Sequence, residues 1–247
     1  MSRVSPPRRI GVLGGMGPEA TVLLLQRVIA RTPAADDTDH VPMLVDMNTQ
    51  VPSRIRALIG ETGDDPGPVL GQMARRLEAM GAEALAMPCN TAHNYAGAIR
   101  AAATIPFIDM VEATASQLAV SGVRRIGLLA SPAVRITGVF ERALDTRGVA
   151  TRYPAEEAPL LGAIRAIKAG RELEAARAAL RVAGDALLAQ GAETLVIGCS
   201  EFSIIADALS PARRTVDSLD VLVDAILRFA LGGEVGPTVS PFSRLVA

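Results

Sequence analysis

At 247 residues, with 49% hydrophobic and 21% charged side chains, the chain has ample material for a buried core, as one large domain or two small ones. A net charge of -1 leaves no electrostatic footprint for DNA, RNA or an anionic membrane. With 3% aromatic residues and no tryptophan there are few rings on which bases could stack, and no apolar run approaches the roughly 20 residues that span a bilayer.

The N-terminus MSRVSPPRR is basic, but the IGVLGGMGP behind it is short and glycine-rich, a poor signal-peptide core. Two cysteines and no targeting segment predict a reducing cytoplasm with free thiols, and two histidines, His40 and His93, argue against a zinc site. Ile10–Leu13 predicts the first strand. Gly17-Pro18-Glu19-Ala20 then starts a helix that runs on through TVLLLQRVIA: proline suits the first turn, and the glutamate faces the positive end of the helix dipole. Met43–Met47 predicts a second strand, followed by the polar run MNTQVPSR, which ends on Arg54. Pro68–Met80 carries apolar residues at helical spacing, and Ala84–Met87 predicts a strand that stops just short of Cys89. Phe107–Asp109 and Ile126–Leu129 predict two more strands, Arg171–Ala189 a long helix, and Thr194–Ile197 a strand that stops just short of Cys199. The alternation predicts an α/β fold with mainly parallel sheets flanked by helices. The last stretch, 231–247, is rich in glycine, proline and serine and reads as a tail with no assigned role.

The chain says nearly the same thing twice. RRIGVLGG at 8–15 returns as RRIGLLAS at 124–131 with five of eight positions identical, and GAEALAMPCN at 81–90 returns as GAETLVIGCS at 191–200 with five of ten. FIDMVEATA at 107–115 is echoed more weakly by TVDSLDVLV at 215–223, aligning Asp109 with Asp217. Three landmarks in one order, one of them consuming both cysteines, predict two similar lobes related by a pseudo-two-fold axis with the active site between them. The expected division is 1–111 for the first lobe, completed by 207–230, and 112–206 for the second.

Ligands of open α/β sheets bind at the carboxyl ends of strands, where both cysteines stand. A thiol at a helix start has its acidity raised, and unpaired backbone N–H groups there can hold a carboxylate. A single such cysteine could be a small core hydrophobe. Two in matched positions, facing one substrate from opposite sides, suit racemisation or epimerisation: one thiolate removes an α-proton and the opposite thiol supplies one to the other face. The site must also stabilise the carbanion or enediolate that forms. Arg54 at the mouth of a cleft suits bidentate capture of a second carboxylate. Lys168 is the only lysine among 25 basic side chains, which marks a place where a compact ammonium is required. A lone lysine also raises a pyridoxal phosphate Schiff base, but no phosphate-binding loop accompanies it: GVLGGMGPEAT lacks the lysine and hydroxyl of a Walker loop and does not fit G-x-G-x-x-G.

Across roughly residues 8 to 230 the chain resembles the cofactor-independent aspartate/glutamate racemase family, nearest its aspartate racemase branch, in GVLGGMGPEAT, DTDHVPMLVDMNTQVPSR, PCNTAH, AIKAG and GCSE. The resemblance implies Cys89 and Cys199 as the paired acid/base groups, and Arg54 and Lys168 as ligands of the substrate's distal carboxylate. It also implies Met16 in the pocket wall, no cofactor and a homodimer. Asn90, Thr91 and Ser200 are the expected partners of the α-carboxylate, with Glu201 orienting the turn beside Cys199 and His93 as a nearby hydrogen-bond partner or a structural histidine. Two departures stand out: Ser53 where relatives carry aspartate, and Ser200 where they carry threonine. The expected substrate is an acidic amino acid, aspartate before glutamate. A hydantoin racemase, a maleate isomerase and a non-catalytic dicarboxylate-binding protein are the alternatives, the hydantoin weakened by two cations that suit a dicarboxylate.

Overall fold

The computed structural model describes residues 6–60 and 63–232. The expected tail beyond Gly232 lies outside the described residues. Among the described residues, eight strands form two all-parallel sheets. The first holds β1 (Ile10–Gly14), β2 (Met43–Met47), β3 (Ala84–Ala86) and β4 (Phe107–Ile108) in the order β2-β1-β3-β4. The second holds β5 (Arg125–Leu129), β6 (Ala150–Arg152), β7 (Thr194–Ile197) and β8 (Thr215–Asp217) in the order β6-β5-β7-β8. The two orders are the same pattern written twice, as the internal repeat predicts. Registers match as well: Gly11 pairs with Leu85 in the first sheet and Gly127 with Leu195 in the second.

The shared glycine of the RRIG motif has a packing reason. A Cβ on Gly11 would lie 2.9 Å from Ala82 Cβ, and one on Gly127 would lie 2.8 Å from Leu187 Cβ. Both positions let a neighbouring segment sit directly on the central strand, which any side chain would push away.

The long helices fall close to their expected positions, at Pro18–Arg31, Gly67–Ala79 and Leu173–Ala189. Each sheet is covered on both faces, which is why β1, β3 and β7 are buried along their whole length rather than alternating. Leu24 and Val28 from Pro18–Arg31 join Leu222 and Ile226 from Ser218–Ala230 on one face of the first sheet. Met73 and Leu77 from Gly67–Ala79 pack on the other face. On the second sheet, Val111, Ala115 and Leu118 from Met110–Val120 pack on one face, and Ile164 and Leu180 lie on the other.

The last helix of each half therefore crosses over: the helix after β4 covers the second sheet, and the helix after β8 covers the first. One boundary changes as a result. Within the span 207–230 assigned to the first lobe, β8 pairs with β7 in the second sheet, and only the helix from Ser218 packs on the first. Two strands, β6 and β8, are absent from the sequence expectation. Each is a three-residue edge strand of mixed polarity, ATR and TVD, without the apolar run that marks the others. Asp109, expected inside a strand, instead caps the next helix by accepting N–H bonds from Val111 and Glu112.

Candidate active site

β3 and β7 release the chain at the carboxyl ends of the two sheets, and a cysteine stands within a few residues of each. Cys89 and Cys199 are both free thiols, 8% and 6% exposed, and both line one cavity of about 490 Å³. The sequence-predicted Met16, Arg54, Thr91, Lys168 and Glu201 share that wall, joined by Glu19, Arg56 and Ser131. Three cations against two carboxylates give the cavity a positive balance before any substrate charge is counted.

The loops that carry the thiols are tied to one another. Ser200 Oγ donates to the carbonyl of Pro88 at 2.8 Å, joining the residue after one cysteine to the residue before the other. Asn90 Nδ2 donates to Ser218 Oγ at 3.0 Å, fastening the Cys89 loop to the start of the crossover helix. Asn90 and Ser200, both 2% exposed, thus stand behind the cavity wall rather than on it, which differs from their expected place as carboxylate ligands. Thr91 does reach the cavity, with its hydroxyl 3.3 Å from Ser131 Oγ.

His93 has the structural role. Its Nε2 accepts the Met110 N–H at 3.1 Å, so the ring proton is on Nδ1 and is donated to the Cys89 carbonyl at 2.9 Å. The matching position in the second half is Ser203, whose Oγ donates to Asp217 at 2.7 Å. The Cys199 loop is further held from the first lobe, since Arg27 donates to the Ser203 carbonyl at 2.8 Å.

The expectation that a helix start acidifies the Cys199 thiol needs correcting. Each cysteine leads into a short 3-10 stretch, Thr91–Tyr95 or Phe202–Ala208, with little dipole to offer. For Cys199 the direction reverses: burial, then the Glu201 carboxylate, push the thiol well above its ordinary range. The geometry agrees, because the Cys199 thiol donates to Glu201 Oε2 at 3.1 Å. Glu201 Oε1 is paired with Lys168 Nζ. Burial is the largest influence on Lys168 and opposes its charge, but the Glu201 carboxylate together with Cys89 and Cys199 outweighs it and holds the ammonium above the usual lysine value.

Arg54 opens the helix Arg54–Leu58, which Ser53 caps by accepting the Arg56 N–H at 3.4 Å. Its guanidinium donates to the carbonyls of Val51, Pro52 and Met16 at 3.2, 3.0 and 3.3 Å. Backbone oxygens therefore orient it, with Ser53 beside it serving as the helix cap. Ser131 is a wall residue that the sequence expectation lacks, yet a signal for it exists: it closes RRIGLLAS at the position that Gly15 holds in the first copy.

A sequence model of the Asp/Glu/hydantoin racemase family matches residues 13–226. The chain belongs to this family. Among its relatives, the broad specificity amino-acid racemase RacX of Bacillus subtilis is 23% identical over 214 residues, covering 85% of this chain and 92% of that one. An aspartate racemase of Picrophilus torridus is similar in structure, with 26% identity, a TM-score of 0.82, and coverage of 90% of this chain and 94% of that one. A glutamate racemase of Francisella tularensis, 16% identical, shares the two-lobed fold at a TM-score of 0.60, covering 88% of this chain and 79% of that one. The protein is an amino-acid racemase. Among the described residues of this racemase no group of His, Cys, Asp and Glu could hold a metal ion, and no helix is long and apolar enough to cross a membrane.

Proposed function

We propose that this racemase inverts an acidic amino acid, aspartate before glutamate, by a two-base mechanism in which Cys89 and Cys199 act without a cofactor. The observation that carries the reading is the convergence of both thiols, one from each lobe, on the wall of a single cavity. In one direction the Cys89 thiolate takes the α-proton and the Cys199 thiol gives its own proton to the opposite face of the planar carbanion. The product leaves Cys89 protonated and Cys199 as thiolate, which is the starting state for the reverse direction. The assignment of Cys199 as the first acid follows from its proton being held by burial and by Glu201.

Arg54 and Lys168 supply the positive charge for the distal carboxylate, and Thr91 is the hydroxyl on the wall that suits the α-carboxylate. Asn90 and Ser200 contribute by holding the cysteine loops, and Met16 closes the apolar side of the pocket. The two cations favour a dicarboxylic amino acid over a hydantoin, which has no distal carboxylate for them to hold. Proton exchange at Cα of L- and D-aspartate in deuterated water, with no added cofactor, tests the reading. Wild type should exchange and invert aspartate or glutamate. Cys89→Ala and Cys199→Ala should each lose at least about a hundredfold in racemisation, the usual scale for an acid/base group. Normal racemisation by Cys199→Ala would end the two-base model.

A further inference from the structure

One carboxylate spans two functions in this cavity. Glu201 Oε1 engages the ammonium of Lys168, while Glu201 Oε2 accepts the Cys199 thiol at 3.1 Å. The group assigned to a substrate's distal carboxylate is therefore already paired with a carboxylate of this chain, and that same carboxylate controls a reacting thiol. The pseudo-two-fold axis has no matching bridge, since the position that corresponds to Glu201 is Thr91, which meets a hydroxyl 3.3 Å away.

Gly17 lies against the ion pair. A Cβ on Gly17 would lie 3.2 Å from Glu19 Oε2, 3.4 Å from Lys168 Nζ and 3.6 Å from Glu201 Oε1. The other ionisable groups lining the cavity are Glu19, Arg54, Arg56 and the two thiols. A second carboxylate added beside Lys168 with Glu201 still in place would put two anions on one ammonium next to Glu19. Like charges at such range destabilise one another, so the arrangement favours exchange over addition.

We propose that a dicarboxylic substrate displaces Glu201 from Lys168, and that the freed carboxylate holds the proton on Cys199 while the substrate is seated. This exchange rests on the racemase reading and deepens it. The distal carboxylate becomes a trigger as well as a handle: an amino acid without one leaves Glu201 on Lys168 and Cys199 facing a neutralised partner.

Glu201→Gln keeps an acceptor for the thiol and removes the competing charge. It should lower KM for aspartate about fivefold, the scale of a partly screened ion pair, and lower kcat at the same time. Glu201→Thr, which installs the residue of the matching position, should lower KM in the same direction and guards against a folding defect in the first variant. Calorimetric titration with succinate, a dicarboxylate with no α-amino group, should show about fivefold tighter binding to both variants. Alkylation by iodoacetamide, read peptide by peptide, should show the pH midpoint of Cys199 falling in both variants while that of Cys89 stays in place. A residue of purely structural importance would not tighten binding. Unchanged or weaker succinate binding in both variants overturns the exchange. If wild type turns over neither aspartate nor glutamate, the substrate assignment fails by itself, and the succinate titration still decides the exchange.

Discussion

Arg27 lies on the first-lobe helix Pro18–Arg31, yet its guanidinium reaches the segment beyond the second lobe's cysteine. It donates to Asp217 Oδ2 at 2.7 Å, to Asp220 Oδ1 at 3.0 Å and to the Ser203 carbonyl at 2.8 Å. The Arg27 and Asp217 side chains are 19% and 7% exposed, so the pair is largely shielded from water. Burial pushes the Asp217 carboxyl above its ordinary value, and Arg27 is the main group that opposes this. Arg27→Met keeps most of the apolar stem and strands the carboxylate. Removing one partner of a buried pair costs about 3–5 kcal/mol. Asp217 keeps the Ser203 hydroxyl and the Leu219 N–H as donors, which places the expected loss nearer about 2–3 kcal/mol. For a chain of this length that is a fall in Tm of about 4–12 °C. Asp217→Asn removes the stranded charge, so the double variant should be more stable than Arg27→Met by at least about 1 kcal/mol. Urea and thermal unfolding followed by circular dichroism at pH 7 measure all corners of the cycle. Because Ser203 lies close behind Cys199, kcat should fall in Arg27→Met by more than KM changes. A loss within about 0.5 kcal/mol of zero, or a double variant that merely adds the two single losses, would contradict a shielded and coupled pair.

Ser200→Ala removes the bond to the buried Pro88 carbonyl and should cost about 1–3 kcal/mol in a urea titration, with a matching fall in kcat, whereas Ser200→Thr keeps the hydroxyl and should stay near wild type. The raised pKa of Cys199 has an alkaline consequence. Its contribution to stability is intact below the unfolded thiol value of about 8.5 and is lost as pH rises through the higher folded value, so wild type should lose stability above pH ~9 more steeply than Cys199→Ala. Lys168 is shifted the same way, so Cys199→Ala should retain part of the alkaline loss; equal slopes in the two proteins would contradict a buried, protonated Cys199.

How much of this could be read from the sequence depends on what each feature rests on. The thiols were legible because they stand in a repeat, and repetition is a property of sequence. The central strands were legible as apolar runs such as TLVI, because a strand covered on both faces has no polar side to break the run. The edge strand Ala150–Arg152 was not, since it is short and its side chains are largely exposed. Asn90 and Ser200 flank the cysteines in sequence but turn into the inter-loop bonds that hold those cysteines, and only the packing of the two sheets decides which way they point. The Lys168–Glu201 pair joins the end of one helix to the loop after β7, and no spacing rule connects them. Each residue could be named as a candidate, but not the fact that the two bind each other.

The fold is nearly symmetric, and the chemistry next to the two sulfurs is not: Thr91 stands by one and Glu201 by the other. For racemisation this asymmetry has a limit set by thermodynamics. Enantiomers have equal free energies in water, so the ratio of kcat/KM for the two directions must be one, whatever partners the thiols have. An unequal pair of partners can therefore change kcat and KM for the two directions only in proportion. The place where Thr91 and Glu201 can express their difference is the distribution of the free enzyme between its two protonation states. Under the two-base proposal, Glu201 beside Cys199 favours the form with the proton on Cys199, and so tighter binding of the enantiomer whose α-proton faces Cys89, with a correspondingly lower kcat in that direction. In the two-base proposal, the repeat supplies a matched base for each face of the substrate. The mismatch at Thr91 and Glu201 sets the state in which the enzyme waits.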